Sequence, residues 1–90
     1  MEKYLVIIEK AENNYAAFSP DVLGCVATGI SVEDATEKIK EALEFHLEDL
    51  LEIPQPKGIS QHIADGIFNK SELAKEYYIT EIDVQIPHHA

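Results

Sequence analysis

The sequence predicts an α+β domain with the element order β-β-β-α-β. Three observations carry this: short β-branched or alternating apolar runs in the first third of the chain, a helical apolar period from Val32 to Leu51, and another alternating run from Tyr77 to Ile86. Ninety residues suit one domain, so 1–90 is read as a single unit, with 54–76 an irregular or short-helix connection and 87–90 a loose tail. A chain this short buries only about three fifths of its unfolded surface, so a partner or a homo-oligomer, dimer or tetramer, would add stability.

The elements follow in order. Tyr4–Ile8, "YLVII", is β-branched and apolar on both faces, as in a central strand with a helix over at least one side. "AENN" contains the turn-prone Asn13 and Asn14, and "YAAFS" from Tyr15 reads as a second strand pairing back on the first. In the connection "SPDVLG", Pro20 presets a turn, Asp21 can accept from backbone amides and Gly24 can take a positive φ. Cys25–Gly29, "CVATG", makes the third strand.

Ser31 opens the main helix in a capping box with Asp34 in the place of the usual Glu or Gln. Its periodicity ends at Ile53-Pro54, because the residue before proline leaves the helical region. Val32, Ala35, Ile39, Ala42, Leu43, His46 and Leu50 share one face, which must cover the sheet. In the segment that follows, a helical turn is expected after Ser60, a break at Gly66 and another turn after Ser71. Along the last strand Tyr78, Ile82, Val84 and Ile86 alternate with Glu81, Asp83 and Gln85, which leaves one wet face.

The helix face opposite the apolar stripe is acidic. At about 100° per residue, Glu33, Glu37, Glu41, Glu44, Glu48 and Glu52 fall within roughly a quarter turn. Their i,i+4 pairs repel by a few tenths of a kcal/mol each, and Glu48, Asp49 and Glu52 lie at the negative end of the helix dipole. A basic partner would relieve both. Phe45 flanks this arc off the apolar stripe, so it either packs in an oligomer, meets a partner or is covered by the Pro54–Tyr77 segment.

Seventeen acidic against seven basic residues give a formal net charge of −10 and a pI near 4.6. That balance repels phosphates and anionic membrane, so neither direct nucleic-acid binding nor membrane association is expected. The longest apolar run is too short to cross a bilayer, and no signal-peptide pattern precedes Tyr4. With Cys25 the only cysteine, a reducing, cytoplasmic setting fits best.

No reaction centre is legible. Cys25 and His46 are the available nucleophile and base, but carboxylate-rich surroundings raise a thiol pKa, and a Cys in an apolar strand is more often a small buried hydrophobe. His46 reads as a partly buried core histidine. His62, His88 and His89 have no metal-ligand spacing, and a magnesium cluster of Glu9, Glu81 and Asp83 competes with the plainer reading of a solvated strand face. No catalytic residue, metal or cofactor is expected, and the chain is not read as an enzyme.

The stretch Tyr15–Leu50 carries a specific pattern: Tyr15, Pro20, Asp21, Leu23, Gly24, Cys25, Thr28, Gly29, Ser31, Ala35, Glu41, Ala42, His46 and Leu47. In these positions the sequence resembles the HicB antitoxin family. The resemblance spans the first half of the chain, and Tyr77–Ile86 fits the family's final strand. It implies a partial ribonuclease H-like domain whose three-stranded antiparallel meander carries one main helix and whose last strand lies beside the first. It also implies an antitoxin that binds and neutralises a small basic HicA-type toxin, which cleaves messenger RNA. Many members carry a C-terminal DNA-binding domain; this chain looks like a short form without one.

The expected contacts are therefore Glu33, Glu37, Glu41, Glu44, Phe45 and Glu48, with Glu81 and Asp83 on the outer strand. Tyr15, Pro20, Asp21, Gly24, Cys25, Gly29 and Ser31 are assigned turn and structural roles first. Two other functions compete with this reading: a stand-alone oligomeric binding module of the same fold without a toxin and, behind it, a magnesium-dependent nuclease.

Overall fold

The computed structural model describes residues 2–49, 53–66 and 76–84. Strands β1 (Glu2–Lys10), β2 (Tyr15–Ser19) and β3 (Val22–Gly29) precede helix α1 (Val32–Glu48); a short helix, α2 (Ile59–Ala64), and strand β4 (Tyr77–Val84) follow. All neighbours in the sheet are antiparallel and the order is β3-β2-β1-β4, the expected meander with the last strand beside the first.

The register sorts the side chains. Tyr4 lies opposite Ile82 and Ile8 opposite Ala17, which places Tyr4, Val6 and Ile8 in a row with apolar residues of both neighbouring strands. These pack with Val22, Cys25 and Val84 against Ala35, Ile39, Leu43 and Leu47 of α1. Burying a Leu or Ile side chain contributes about 2 kcal/mol, so this layer holds the helix to the sheet. Leu5 and Ile7 point the other way and are also buried, which is why β1 is apolar on both faces.

Several boundaries differ from the sequence expectation. β3 starts at Val22 rather than Cys25, because a register shift between Phe18 and Ser19 lets Val22 pair with Ser19. Gly24, at φ 83°, supplies the left-handed backbone within that irregular stretch. The "SPDVLG" connection thus shrinks to Pro20 and Asp21. In α1, Leu47 rather than His46 completes the buried stripe, since Ala35, Ile39, Leu43 and Leu47 form an i,i+4 row. Leu50, the turn after Ser71, strand residues Gln85 and Ile86, and the tail 87–90 lie outside the described residues.

The cap forms much as expected. The Asp34 N–H donates to Ser31 Oγ at 3.0 Å, and Asp34 Oδ2 accepts from the Ile30 N–H at 3.0 Å, one residue upstream of the cap. Gly29 precedes this turn and is required by a close approach: a Cβ there would overlap the Ala35 backbone, its Cα 2.8 Å away. Beyond α1, the buried Tyr4 hydroxyl donates to the Pro54 carbonyl at 2.7 Å, and Ile53 packs on the core.

Candidate functional site

The outer face of α1 rises from its own periodicity. With the stripe from Ala35 to Leu47 fixed on the sheet, Glu33, Glu37, Glu41 and Glu48 are exposed, while Glu44 is half-buried. Phe45 is 72% exposed, so among the described residues it is not covered by the segment after Pro54. Its ring, with Ala42, His46 and Asp49, forms one wall of an open groove of about 420 Å³ whose other wall is Gly24, Cys25 and Val26 of β3. The result is a continuous strip: the β3 edge, the apolar groove, Phe45, then the acids of α1.

Glu81 and Asp83 do not join it. They are exposed on β4, which is separated from β3 by β2 and β1, and they point away from the face on which Ile82 and Val84 meet α1. Nor do they gather with Glu9. In the β1–β4 register Glu9 lies opposite Tyr77, Glu81 opposite Leu5 and Asp83 opposite Lys3. Among the described residues no three His, Cys, Asp or Glu side chains are placed to hold a metal ion. The converging carboxylates a magnesium nuclease needs are therefore not found among them.

Cys25 and His46 do line the same groove. Burial raises the Cys25 thiol above its ordinary pKa, away from the thiolate that a nucleophile requires. Cys25 is part of the core layer, and His46 is a half-buried wall residue.

The turn residues prove to be a buried polar junction. The Asp21 side chain is 0% exposed; its Oδ2 accepts from the Leu5 N–H at 3.2 Å, and its Oδ1 accepts from the Lys57 N–H at 3.1 Å and meets His62 Nε2 at 2.7 Å. Asp21 thereby takes over a backbone bond of β1 where β2 ends, and fastens 57–62 to the sheet. The Asp21 N–H in turn donates to the buried Ser19 Oγ at 3.3 Å. Sequence reasoning considered His62 only as a metal ligand and missed this pairing, because nothing local links residues 41 positions apart. Tyr15 packs partly buried against the core, beside Tyr78 with ring centroids 6.5 Å apart.

An antiparallel four-stranded sheet in the order β3-β2-β1-β4 carrying one main helix defines an α+β domain. The family model described as "HicB_like antitoxin of bacterial toxin-antitoxin system" matches residues 4–88, and the chain belongs to that family.

Among curated proteins, the chain is 35% identical over 89 residues to an uncharacterized 14.9 kDa protein of the rep-hol intergenic region of Haemophilus phage HP1, covering 94% of this chain and 62% of the relative. It is 54% identical over 44 residues to a UPF0150 protein of Helicobacter pylori, covering 49% and 61%. The chain thus spans about three fifths of the length of these relatives.

Among solved structures, it matches the Burkholderia pseudomallei antitoxin HicB with TM-score 0.70 and 19% identity, over 100% of this chain and 71% of that one. It matches a chain of a HicA3 and HicB3 toxin-antitoxin complex with TM-score 0.71 and 22% identity, over 92% and 98%. At these identities the structures establish the shared fold. No helix among the described residues is long and apolar enough to cross a membrane.

Proposed function

We propose that this chain is an antitoxin that neutralises a small basic HicA-type toxin, and that it does so by covering the toxin's RNA-binding surface with the outer strip of α1. The carrying observation is that an exposed aromatic ring, Phe45, lies between the exposed Glu41 and Glu48 on a chain of net charge −10. Buried aromatic anchors supply most of an interface's energy, while surrounding charges steer encounter and select the partner. A cationic surface shaped for phosphates fits both, and its occupation would exclude RNA. The partner acts on messenger RNA, so the complex belongs to the cytoplasm. Self-association is a secondary part of the reading, supported by further exposed apolar residues such as Ile63 and Ile79.

The test is binding of the purified chain to the small basic protein encoded beside it, followed across a salt titration, with RNA cleavage as the readout. Tight, salt-sensitive binding that stops cleavage is expected. Replacing Glu37, Glu41 and Glu48 together by Lys should leave folding intact, since their mutual repulsion stabilises nothing, and should weaken binding roughly 100-fold. Unchanged affinity in that variant defeats the acidic-strip model. Absence of any binding defeats the antitoxin reading itself.

A further inference from the structure

We infer that the free edge of β3 is itself a recognition element: it accepts an extended, basic segment of the partner as a fifth strand of the sheet. This rests on the antitoxin reading and adds the mode of binding and the kind of segment bound.

β3 is the outermost strand of the order β3-β2-β1-β4, so among the described residues one side of its backbone faces no other strand. Natural sheets blunt such an edge with charged residues, Pro or bulges, because an unpaired row of N–H and C=O groups is a template for another strand; the irregularity of β3 is confined to its Val22 end, and Val26–Gly29 pair regularly with β2. Val22–Gly29, "VLGCVATG", has no charged residue and no Pro. The opposite edge, β4, carries exposed Glu81 and Asp83 and shows what a blunted edge in this molecule looks like. β3 instead exposes Leu23 and Val26, at 85% and 64%.

Both flanks of that edge are hollow. On the α1 side is the groove walled by Phe45 and Ala42; on the other is a second open groove of about 310 Å³, lined by Phe18, Pro20, Leu23 and Val26 among others. An added strand directs successive side chains to opposite faces of the sheet. Alternate residues would therefore enter one groove or the other, giving side-chain selectivity on top of main-chain hydrogen bonds.

Charge decides between occupants. Asp49 stands in the groove wall, and Glu41 and Glu48 flank Phe45 on the same helix. A second copy paired two-fold along β3 would set two α1 helices on one face of a continuous sheet with these acids opposed, each copy bearing −10. A strand carrying Lys or Arg on its α1-facing side reaches the same acids favourably. The occupant is therefore a basic extended segment, not a second copy.

Backbone amide exchange on the isotope-labelled full chain tests this, with two probes. One is the adjacent basic toxin; the other is a short peptide alternating Lys with Val, with a Glu-Val peptide as control. Both basic probes should slow exchange of the β3 amides that point away from β2 by tenfold or more, and leave the β4 edge unchanged; the Glu-Val peptide should do nothing. Val26→Lys, a change at an exposed position, should weaken toxin binding about tenfold, while Asp83→Lys should not weaken it. Slowed exchange confined to α1 overturns the proposal, as does β3 protection in the free chain that grows with its own concentration, which would mean a second copy. If the toxin fails to bind but the Lys-Val peptide protects β3, the antitoxin reading falls and the edge assignment stands. If the toxin binds and neither probe protects β3, the reverse holds.

Discussion

Asp21 and Phe45 are treated in opposite ways by the same small domain. Asp21 is a carboxylate with a fully buried side chain, accepting from two backbone N–H groups and paired with a buried His62. Phe45 is a large apolar ring left mostly in water on a helix whose core stripe could have taken it. A buried charge costs several kcal/mol unless paired and hydrogen-bonded, so the completeness of the Asp21 network is the mark of a structural joint. An aromatic left 72% exposed adds little to the isolated fold, which supports the contact role proposed for it. Asp21 therefore joins β1 to residues 57–62, while Phe45 and the exposed acids beside it are the surface we propose for partner recognition.

Single substitutions separate the two roles. Asp21→Ala should have the largest effect, lowering stability by about 3 kcal/mol because the Leu5 N–H and His62 lose their acceptor. Denaturant unfolding measures it; the folded fraction should still bind toxin normally. A loss of affinity without a loss of stability would move Asp21 into the interface. Phe45→Ala should do the converse: a stability change within about 0.5 kcal/mol, with toxin affinity down by about 2 kcal/mol, or roughly 30-fold, by calorimetry. If that variant is instead markedly destabilised, the ring is a core residue.

Gly29→Ala tests the frame on which both regions rest, and should cost about 2 kcal/mol through overlap with the Ala35 backbone, read as a fall in Tm.

The smallest expected effect is in acid. The hydrogen bond from the Ile30 N–H, then Lys38, holds the Asp34 carboxyl below its usual range, and Gln61 and then Lys57 do the same for Asp65. A folded-state pKa depressed below the unfolded value stabilises the fold above the ordinary carboxylate range, and that contribution is lost as pH falls through the folded values. Asp34→Asn should therefore flatten part of the acid limb of stability against pH. An unchanged acid limb would show that the exposed cap contributes nothing measurable.

Much of the architecture was legible because it depends on neighbours in the chain. The Ser31–Asp34 cap, the i,i+4 apolar row of α1 and the alternation of Tyr78, Ile82 and Val84 are local patterns, and each element formed close to where the pattern lies. The misplacements arose where a partner strand decided. β3 reaches back to Val22 because β2 is there to pair with it through the irregular stretch at Gly24, and no propensity in "DVLG" announces that. On the candidate surface, the acid arc and Phe45 followed from helical geometry alone, and the arc's exposure from the position of the core stripe. Glu44 lies in the arc by helical spacing yet is half-buried, and the place of Glu81 and Asp83 at the far edge of the sheet is something charge does not reveal.

What the amino-acid order settles unaided is whatever depends on spacing within a few residues: the strands and helix, the cap, the acidity and the apolar stripe. The edge left open at β3, the groove between β3 and Phe45, the requirement for Gly29 under Ala35 and the pairing of Asp21 with His62 arise only on folding. Each joins residues distant in the chain, and their proximity depends on how the elements pack together rather than on any one element's own pattern.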